Sequence, residues 1–264
     1  MTVPVPAPPV EQTLFRLRVR YAKRGRLAYL GHLGVIHTID RAIRRAGLPF
    51  AVTQGYSPHM RIGFSSALPV GTSSTCEWFD LFLTELAGAD EALRRLVAAT
   101  PADLAPDRAG YVAIRRPALT AEITRIDYRI ALDPAPGSAF SADIVKEALD
   151  DVGAAGDIAY VRGKKAKSLS IDRTLLAADV RAGEGSALIC DLATHADNGG
   201  SLRPEILIAA LDRRLRGADE PIVSTGIQDL ESFARYRVER TFQGVEDEDG
   251  DVRDPLHGSA SVGA

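Results

Sequence analysis

The sequence predicts an α+β protein made of two tandem halves. Two observations carry this: the order strand, helix, strands, helix, strand can be read twice along the 264 residues, and the apolar period switches between two and about 3.6 residues from segment to segment. Each half then follows the split βαβ, or ferredoxin-like, plan, an antiparallel sheet with its helices on one face. The halves are expected at residues 14–116 and 123–243. Residues 1–13, beginning MTVPVPAPPVEQ, are Pro-rich and read as a disordered or polyproline tail. Residues 244–264 read as a disordered acidic tail, because Glu246, Asp247, Glu248, Asp249, Asp251 and Asp254 stand there against Arg253 alone.

In the first half, Phe15, Leu17, Val19 and Tyr21 alternate with Arg16, Arg18 and Arg20, the pattern of a strand with one buried face. Ile36, Ile39, Ile43 and Ala46 then recur at helical spacing, with His37, Arg41, Arg44 and Arg45 on another side. Gly47 caps that helix and Pro49 prevents its continuation. Strands are expected at residues 50–53, 61–66 and 77–84. A helix over residues 90–99 packs through Leu93, Leu96 and Val97 and ends before Pro101, and residues 111–115 close the half.

The second half repeats the plan. Ile126, Tyr128, Ile130 and Leu132 alternate as a strand, and Ser141 caps a helix carrying Ile144, Val145, Ala148, Leu149 and Val152. Strands follow near residues 158–162, 168–171 and 187–194. A last helix starts at Pro204, a favoured first helical residue, presents Leu207, Ile208, Leu211 and Leu215, and stops at Gly217. Residues 235–242 close the half.

Composition excludes several classes. At 45% hydrophobic and 25% charged, the chain can bury a sizeable core. It begins with no basic segment followed by an apolar run, and no apolar stretch is long enough to span a bilayer, so a cytoplasmic protein without a membrane partner is expected. Cys76 and Cys190 are the two cysteines, too few for a disulfide framework or an iron–sulfur cluster. They read as buried thiols. His32, His37, His59 and His195 have no ligand-like spacing with them, so no metal site is expected. No Gly-rich run precedes a Lys-Ser/Thr pair, and Gly163-Lys164-Lys165 reads as a basic hairpin end.

The net charge of -3 hides an asymmetry. Residues 14–61 hold Arg16, Arg18, Arg20, Lys23, Arg24, Arg26, Arg41, Arg44, Arg45 and Arg61 against Asp40. The Arg16, Arg18 and Arg20 row is expected on the open face of the first sheet. There it either holds single-stranded nucleic acid or pairs with acids of the second half such as Asp127. Candidate recognition groups concentrate just beyond it. Gln54, His59 and Arg61 sit in a turn shaped by Gly55 and Pro58, and Pro69 and Gly71 shape a second turn before Glu77 and Asp80. Arg41, Arg45 and Arg61 are expected to line one phosphate-binding cleft.

The stretch RAIRRAGLPFAVTQGYSPHMRIGFSSALPVG, followed by Glu77 and Asp80, closely resembles the radical-SAM-associated domain of unknown function. The resemblance is dense over residues 21–83. It continues more thinly through Gly163-Lys164-Lys165, Ser170-Ile171-Asp172 and Ser201-Leu202-Arg203-Pro204 to Arg240-Thr241. It implies that His32, Arg41, Gln54, Gly55, Pro58, His59, Arg61, Pro69, Gly71, Glu77 and Asp80 are the family's polar and turn positions, and it adds Arg203 as a binding candidate. Where that family reads Leu-Ser-His-Leu-Asp, this chain has Leu30-Gly31-His32-Leu33-Gly34, without the hydroxyl and the carboxylate. The resemblance further implies a radical S-adenosylmethionine protein as partner, which would carry the iron–sulfur cluster and S-adenosylmethionine. Two cysteines rule this chain out as that enzyme.

The expectation is therefore a non-catalytic accessory protein of that enzyme, binding RNA or a nucleic-acid-derived substrate, with no cofactor of its own. One alternative is a purely structural scaffold. Another is a metal-independent endoribonuclease, resembling at fold level the repeat-processing nucleases of CRISPR systems, in which His32, His37 or His59 would move the proton while Lys23 or Arg61 stabilised charge.

Overall fold

A computed structural model describes residues 13–257 apart from Ala139, Asn198 and Glu248, so residues 1–12 of the Pro-rich start and 258–264 of the tail lie outside the described residues. The first half runs β1 (Phe15–Lys23), a 3-10 turn (Gly25–Tyr29), α1 (His32–Arg45), β2 (Ile62–Phe64), β3 (Thr72–Leu83), α2 (Ala89–Ala99) and β4 (Pro106–Val112). The short α3 (Leu119–Glu122) connects it to β5 (Arg125–Pro134), α4 (Ala142–Ala154), β6 (Asp157–Arg162), β7 (Lys165–Ser170), α5 (Ile171–Thr174) and β8 (Leu175–Ala182). Then come β9 (Leu188–Asp197), β10 (Gly200–Ser201), α6 (Pro204–Arg216), β11 (Ile222–Val223), β12 (Phe233–Glu246) and β13 (Val252–Arg253).

The helix ends obey local chemistry. Ser141 Oγ accepts the Ile144 N–H at 3.3 Å, Pro204 opens α6, and Gly217 closes it at φ +66. Ile39 and Ile43 of α1 and Ala92 and Leu96 of α2 pack on Leu17 and Val19 of β1 and Phe79, Leu81 and Leu83 of β3. Val145 and Leu149 of α4 and Ile206 and Leu207 of α6 pack on Ile126, Tyr128, Ile130 and Leu132 of β5. Val97 and Ile144, expected in the core, are 43% and 46% exposed.

Three strand readings change, the first being the closing strand expected at residues 111–115, which lies at Pro106–Val112 and pairs with β1. Residues 50–53 make only isolated bridges, Phe50 to Leu83 and Val52 to Met60, because Pro49 and the 54–59 turn leave no room for a ladder. Conversely, β8 was not foreseen, since its residues lie along one edge of β9, are mostly exposed and show no period of two.

The halves do not form two separate sheets. One ten-stranded mixed sheet has the order β10-β9-β5-β12-β3-β1-β4, with β8 on β9, β2 on β3 and β13 on β12, while β11-β6-β7 form a small second sheet. The join is short: Val238, Glu239 and Arg240 of β12 pair in parallel with Thr72, Ser73 and Ser74 of β3. This edge of β3 is free to take a second partner because β2 pairs only with Phe79, Asp80 and Leu81.

The arginine row of β1 is not open. Register places Asp80 directly across from Arg18, so the nearest carboxylate belongs to the neighbouring strand. Arg18 Nε donates to Asp80 Oδ1 at 2.8 Å and its Nη1 to the Pro255 carbonyl at 2.9 Å, while Nη2 lies 2.9 Å from Glu122 Oε2. Arg16 donates to Asp80 at 2.6 Å and to the carbonyls of Arg116 and Pro117, and Arg20 pairs with Asp107 at 2.7 Å. Asp127 pairs instead with Arg125 at 2.6 Å. The connection between the halves and the returning carboxyl end therefore cover this face.

That return corrects the tail. β12 continues to Glu246, Asp247 Oδ1 caps the turn by accepting the Asp249 and Asp251 N–H groups, and Arg253 pairs with Asp247 at 2.7 Å. Asp254 then reaches Arg108 at 2.5 Å, and Leu256 enters the core at 8% exposure. Asp247 and Asp254 are held because their charges meet turn amides and arginines.

Ile39 is 1% exposed beneath α1. Ile39→Ala should cost roughly 2–5 kcal/mol in urea unfolding; an unchanged midpoint would contradict the packing of α1 on the sheet.

Candidate functional site

The turn candidates are accessible but turned inward on one another. Gly55 has φ +135, a conformation that favours glycine. Gln54, Pro58, His59 and Arg61 are exposed. The His59 N–H donates to Thr53 Oγ1 at 3.2 Å and its ring Nδ1 lies 3.1 Å from the Ser57 carbonyl, so the imidazole helps close its own loop. The Arg61 guanidinium lies 4.3 Å from the centre of the Phe82 ring.

Phe82 alternates with Leu81 and Leu83, which pack toward α1, so Arg61 lies on the sheet face opposite that helix. Arg41 and Arg45 are exposed on α1 itself. Arg41 Nε donates to the His37 carbonyl at 3.2 Å, and Arg45 Nη2 to the Ala99 carbonyl at 2.6 Å. The one cleft expected through Arg41, Arg45 and Arg61 is thus not formed.

Glu77 and Asp80 are 3% and 2% exposed. Asp80 takes Arg16 and Arg18, whereas Glu77 accepts Arg240 Nη1 at 3.1 and 3.2 Å and Gln243 Nε2 at 3.2 Å. Both carboxylates tie the sheet together. Burial opposes the charge on Arg240, but Glu77 and Tyr128 together outweigh it and raise its pKa.

Lys23 belongs to the same buried group. Its Nζ donates to the Ala28 carbonyl at 2.8 Å and lies 3.5 Å from that of Pro69, fixing the second turn from beneath. Burial pushes this amine down to about 8, with Glu77 resisting and Arg240 adding to the effect. His32 stands at the edge, its ring edge-on to Phe64 with centroids 5.9 Å apart, over a small cavity shared with Tyr21, Lys23, Ser65, Ser66 and Glu77. Cys76 and Cys190 are buried, and burial pushes both thiols up to about 12, which suits inert core residues.

An open hollow lies in the second half, where the sequence marked one residue. This open cleft separates the β6–β7 hairpin from α5 and β10. Arg162, Lys167, Arg173 and Arg203 line it, with the hydroxyls of Ser168, Ser170 and Ser201 and the acid Asp157. Asp197 Oδ1 accepts the Gly199 and Gly200 N–H groups at 2.7 and 3.0 Å and lies 3.6 Å from Arg173 Nη2. A Cβ on Gly199 would fall 2.4 Å from that guanidinium nitrogen, so glycine is what lets Arg173 lie against the turn. Arg203 Nη1 is 3.3 Å from Glu205 Oε1. The Lys164, Lys165 and Lys167 run was the available signal for this cleft; Arg162 and Arg173 carried none.

Removing the carboxylate in Asp80→Ala leaves Arg16 and Arg18 buried without it and should cost about 3–5 kcal/mol in urea unfolding. A near-neutral result would return Asp80 to the residues free to meet a ligand. Lys23 gives a pH signature. Its folded value of about 8 lies below the free value of 10.5, so the unfolded chain binds more protons between them and this group's contribution to stability rises across that window. Cys76, shifted upward, works the other way above 9, so the difference between wild type and Lys23→Met isolates the lysine. Wild type should gain on the variant from pH 8 to 10.5; a constant difference would contradict the buried amine.

Among the described residues, no group of three or more His, Cys, Asp or Glu side chains is placed to hold a metal ion, and no helix is long and apolar enough to cross a membrane. No curated protein matches the chain. Among solved structures, it is similar to a chain of a Cbf5-Nop10-Gar1 complex, with 10% identity, 88% of this chain and 50% of that chain covered, and a TM-score of 0.45. It is also similar to a chain of an H/ACA RNP bound to a substrate RNA containing 2'-deoxyuridine, with 10% identity, 88% and 49% covered, and a TM-score of 0.42. An unknown protein from Galdieria sulphuraria aligns at 11% identity over 78% of this chain and 94% of that one, with a TM-score of 0.24. The chain spans about half the length of the first two. A family model matches residues 16–204, and the chain belongs to that family, described as an uncharacterized protein conserved in bacteria (DUF2344).

Proposed function

We propose that the chain is a non-catalytic RNA-binding accessory protein that acts in the cytoplasm beside a radical S-adenosylmethionine enzyme. One observation carries the RNA reading: the cleft between the β6–β7 hairpin, α5 and β10 gathers Arg162, Lys167, Arg173 and Arg203 with the hydroxyls of Ser168, Ser170 and Ser201. Cations and hydroxyls on facing walls suit a phosphate backbone, where they set position without reading sequence. His32, His37 and His59 belong to α1 and the 54–59 turn and do not line this cleft, which favours holding RNA over cutting it.

The enzyme partner rests on the residue resemblance over 21–83, and the cluster and S-adenosylmethionine would be that partner's. We read each half as ferredoxin-like; the strand orders β4-β1-β3-β2 and β8-β9-β5-β12 support this.

Replacing Arg162, Lys167 and Arg173 together by Ala should weaken RNA binding by the full chain. It should also flatten the slope of log K against log salt by about 2, at about 0.7 per single-strand phosphate. The comparison variant carries Ala at Arg41, Arg45 and Arg61. If that variant alone loses affinity, RNA lies on the first half; if the native chain shows no salt-sensitive RNA binding, the scaffold reading replaces this one.

A further inference from the structure

A second hollow lies where the halves meet. It is a small open groove walled by Tyr29, Val70, Glu205, Ile227, Tyr236 and Val238. Tyr29, Val70 and Ile227 are 65%, 45% and 51% exposed, an apolar rim on both sides of the junction. Gly71 forms the floor at φ +85; a Cβ there would lie 3.5 Å from Ile227 and 3.7 Å from Tyr29, so a larger residue would be strained and would fill the groove. Lys23 holds this floor through the carbonyls of Ala28 and Pro69.

Glu205 is the charged residue of the groove, beside the hydroxyls of Thr72 and Tyr236. It is 6% exposed in the first turn of α6, where the helix amino terminus favours a negative charge. Its Oε1 lies 3.3 Å from Arg203 Nη1, and among the described residues no donor reaches Oε2. Arg203 also lines the basic cleft, so a single ion pair stands between the two hollows.

We propose that the groove receives a guanine base of the RNA whose phosphates occupy the cleft, an inference that rests on the RNA reading above. A carboxylate accepts hydrogen bonds and cannot donate them. Guanine sets two donors, N1–H and N2–H, side by side on one edge. Uracil flanks its single N–H with two carbonyls that a carboxylate repels, and adenine and cytosine each set an amino group beside a bare ring nitrogen. Tyr29 and Ile227 supply flat apolar contact for the ring faces, which tolerates any base. Selectivity therefore falls to Glu205.

The test is fluorescence anisotropy of the full chain at low salt with three octamers: eight uridines, the same with one central guanosine, and the same with one central adenosine. The guanosine octamer should bind roughly tenfold or more tightly than the adenosine one, within the range of one bidentate base contact. Glu205→Gln should abolish that preference; because it also frees Arg203 at the cleft, the ratio of guanosine to adenosine binding is the readout. Tyr29→Ala, on the exposed rim, keeps the test open if the buried substitution unfolds the protein; by opening the groove it should erase most of the guanosine octamer's advantage over the adenosine one. Equal binding of guanosine and adenosine octamers, with salt-sensitive uridine binding intact, would overturn the guanine assignment and leave the RNA reading standing. Failure of all three would overturn both. A groove indifferent to guanine but blocked by free arginine would belong to a cationic side chain of a protein partner and would also overturn the proposal.

Discussion

Three residue pairs hold this molecule in one sheet. The parallel contact of Val238, Glu239 and Arg240 with Thr72, Ser73 and Ser74 is too short to be strong as a ladder, and it is completed by a buried ion pair directly beside it. Arg240 reaches Glu77, the Ser66 carbonyl and the Tyr128 hydroxyl, so one guanidinium joins β12, β3, β5 and the segment after β2. Such a pair is weak as net stabilisation but costly to break, and it fixes register. The junction places the amino end of α6 opposite the 69–72 turn, and the groove and its neighbouring cleft follow from that placement.

Charge divides between two jobs. Arg16, Arg18 and Arg240 are buried, each with a carboxylate partner, and act as fasteners. Arg162 and Lys167 are exposed around a hollow and remain available to an anion, with Arg173 exposed beside them and paired with Asp197. Composition alone cannot separate these roles, because the same residue type serves both. The separation depends on where carboxylates fall in the register.

The elements that could be read from the chain were those with local signals. α1, α4 and α6 announce themselves by apolar stripes, by Ser141 and Pro204 at the starts of α4 and α6, and by Gly47 and Gly217 after α1 and α6. What escaped depends on distant partners. Arg18 takes a carbonyl 237 residues away at Pro255, and no local pattern shows that a charged tail will return to cover it. β8 lacks alternation because it serves as an edge of β9. The cleft was missed for a related reason: its cations come from β6, β7, α5 and the residue before α6, at spacings that form no period. Arg203 was marked by resemblance, without any indication that it would face Arg173 across a hollow.

The proposed RNA contact is tested by photo-cross-linking of the full chain to a short RNA carrying 4-thiouridine, with the attached peptides identified by mass spectrometry. A strand lying along the cleft places its cross-links in residues 157–173 and 199–205. Cross-links confined to α1 and the 54–61 turn would contradict the account, placing RNA on the first half and leaving the second-half cations without their proposed role.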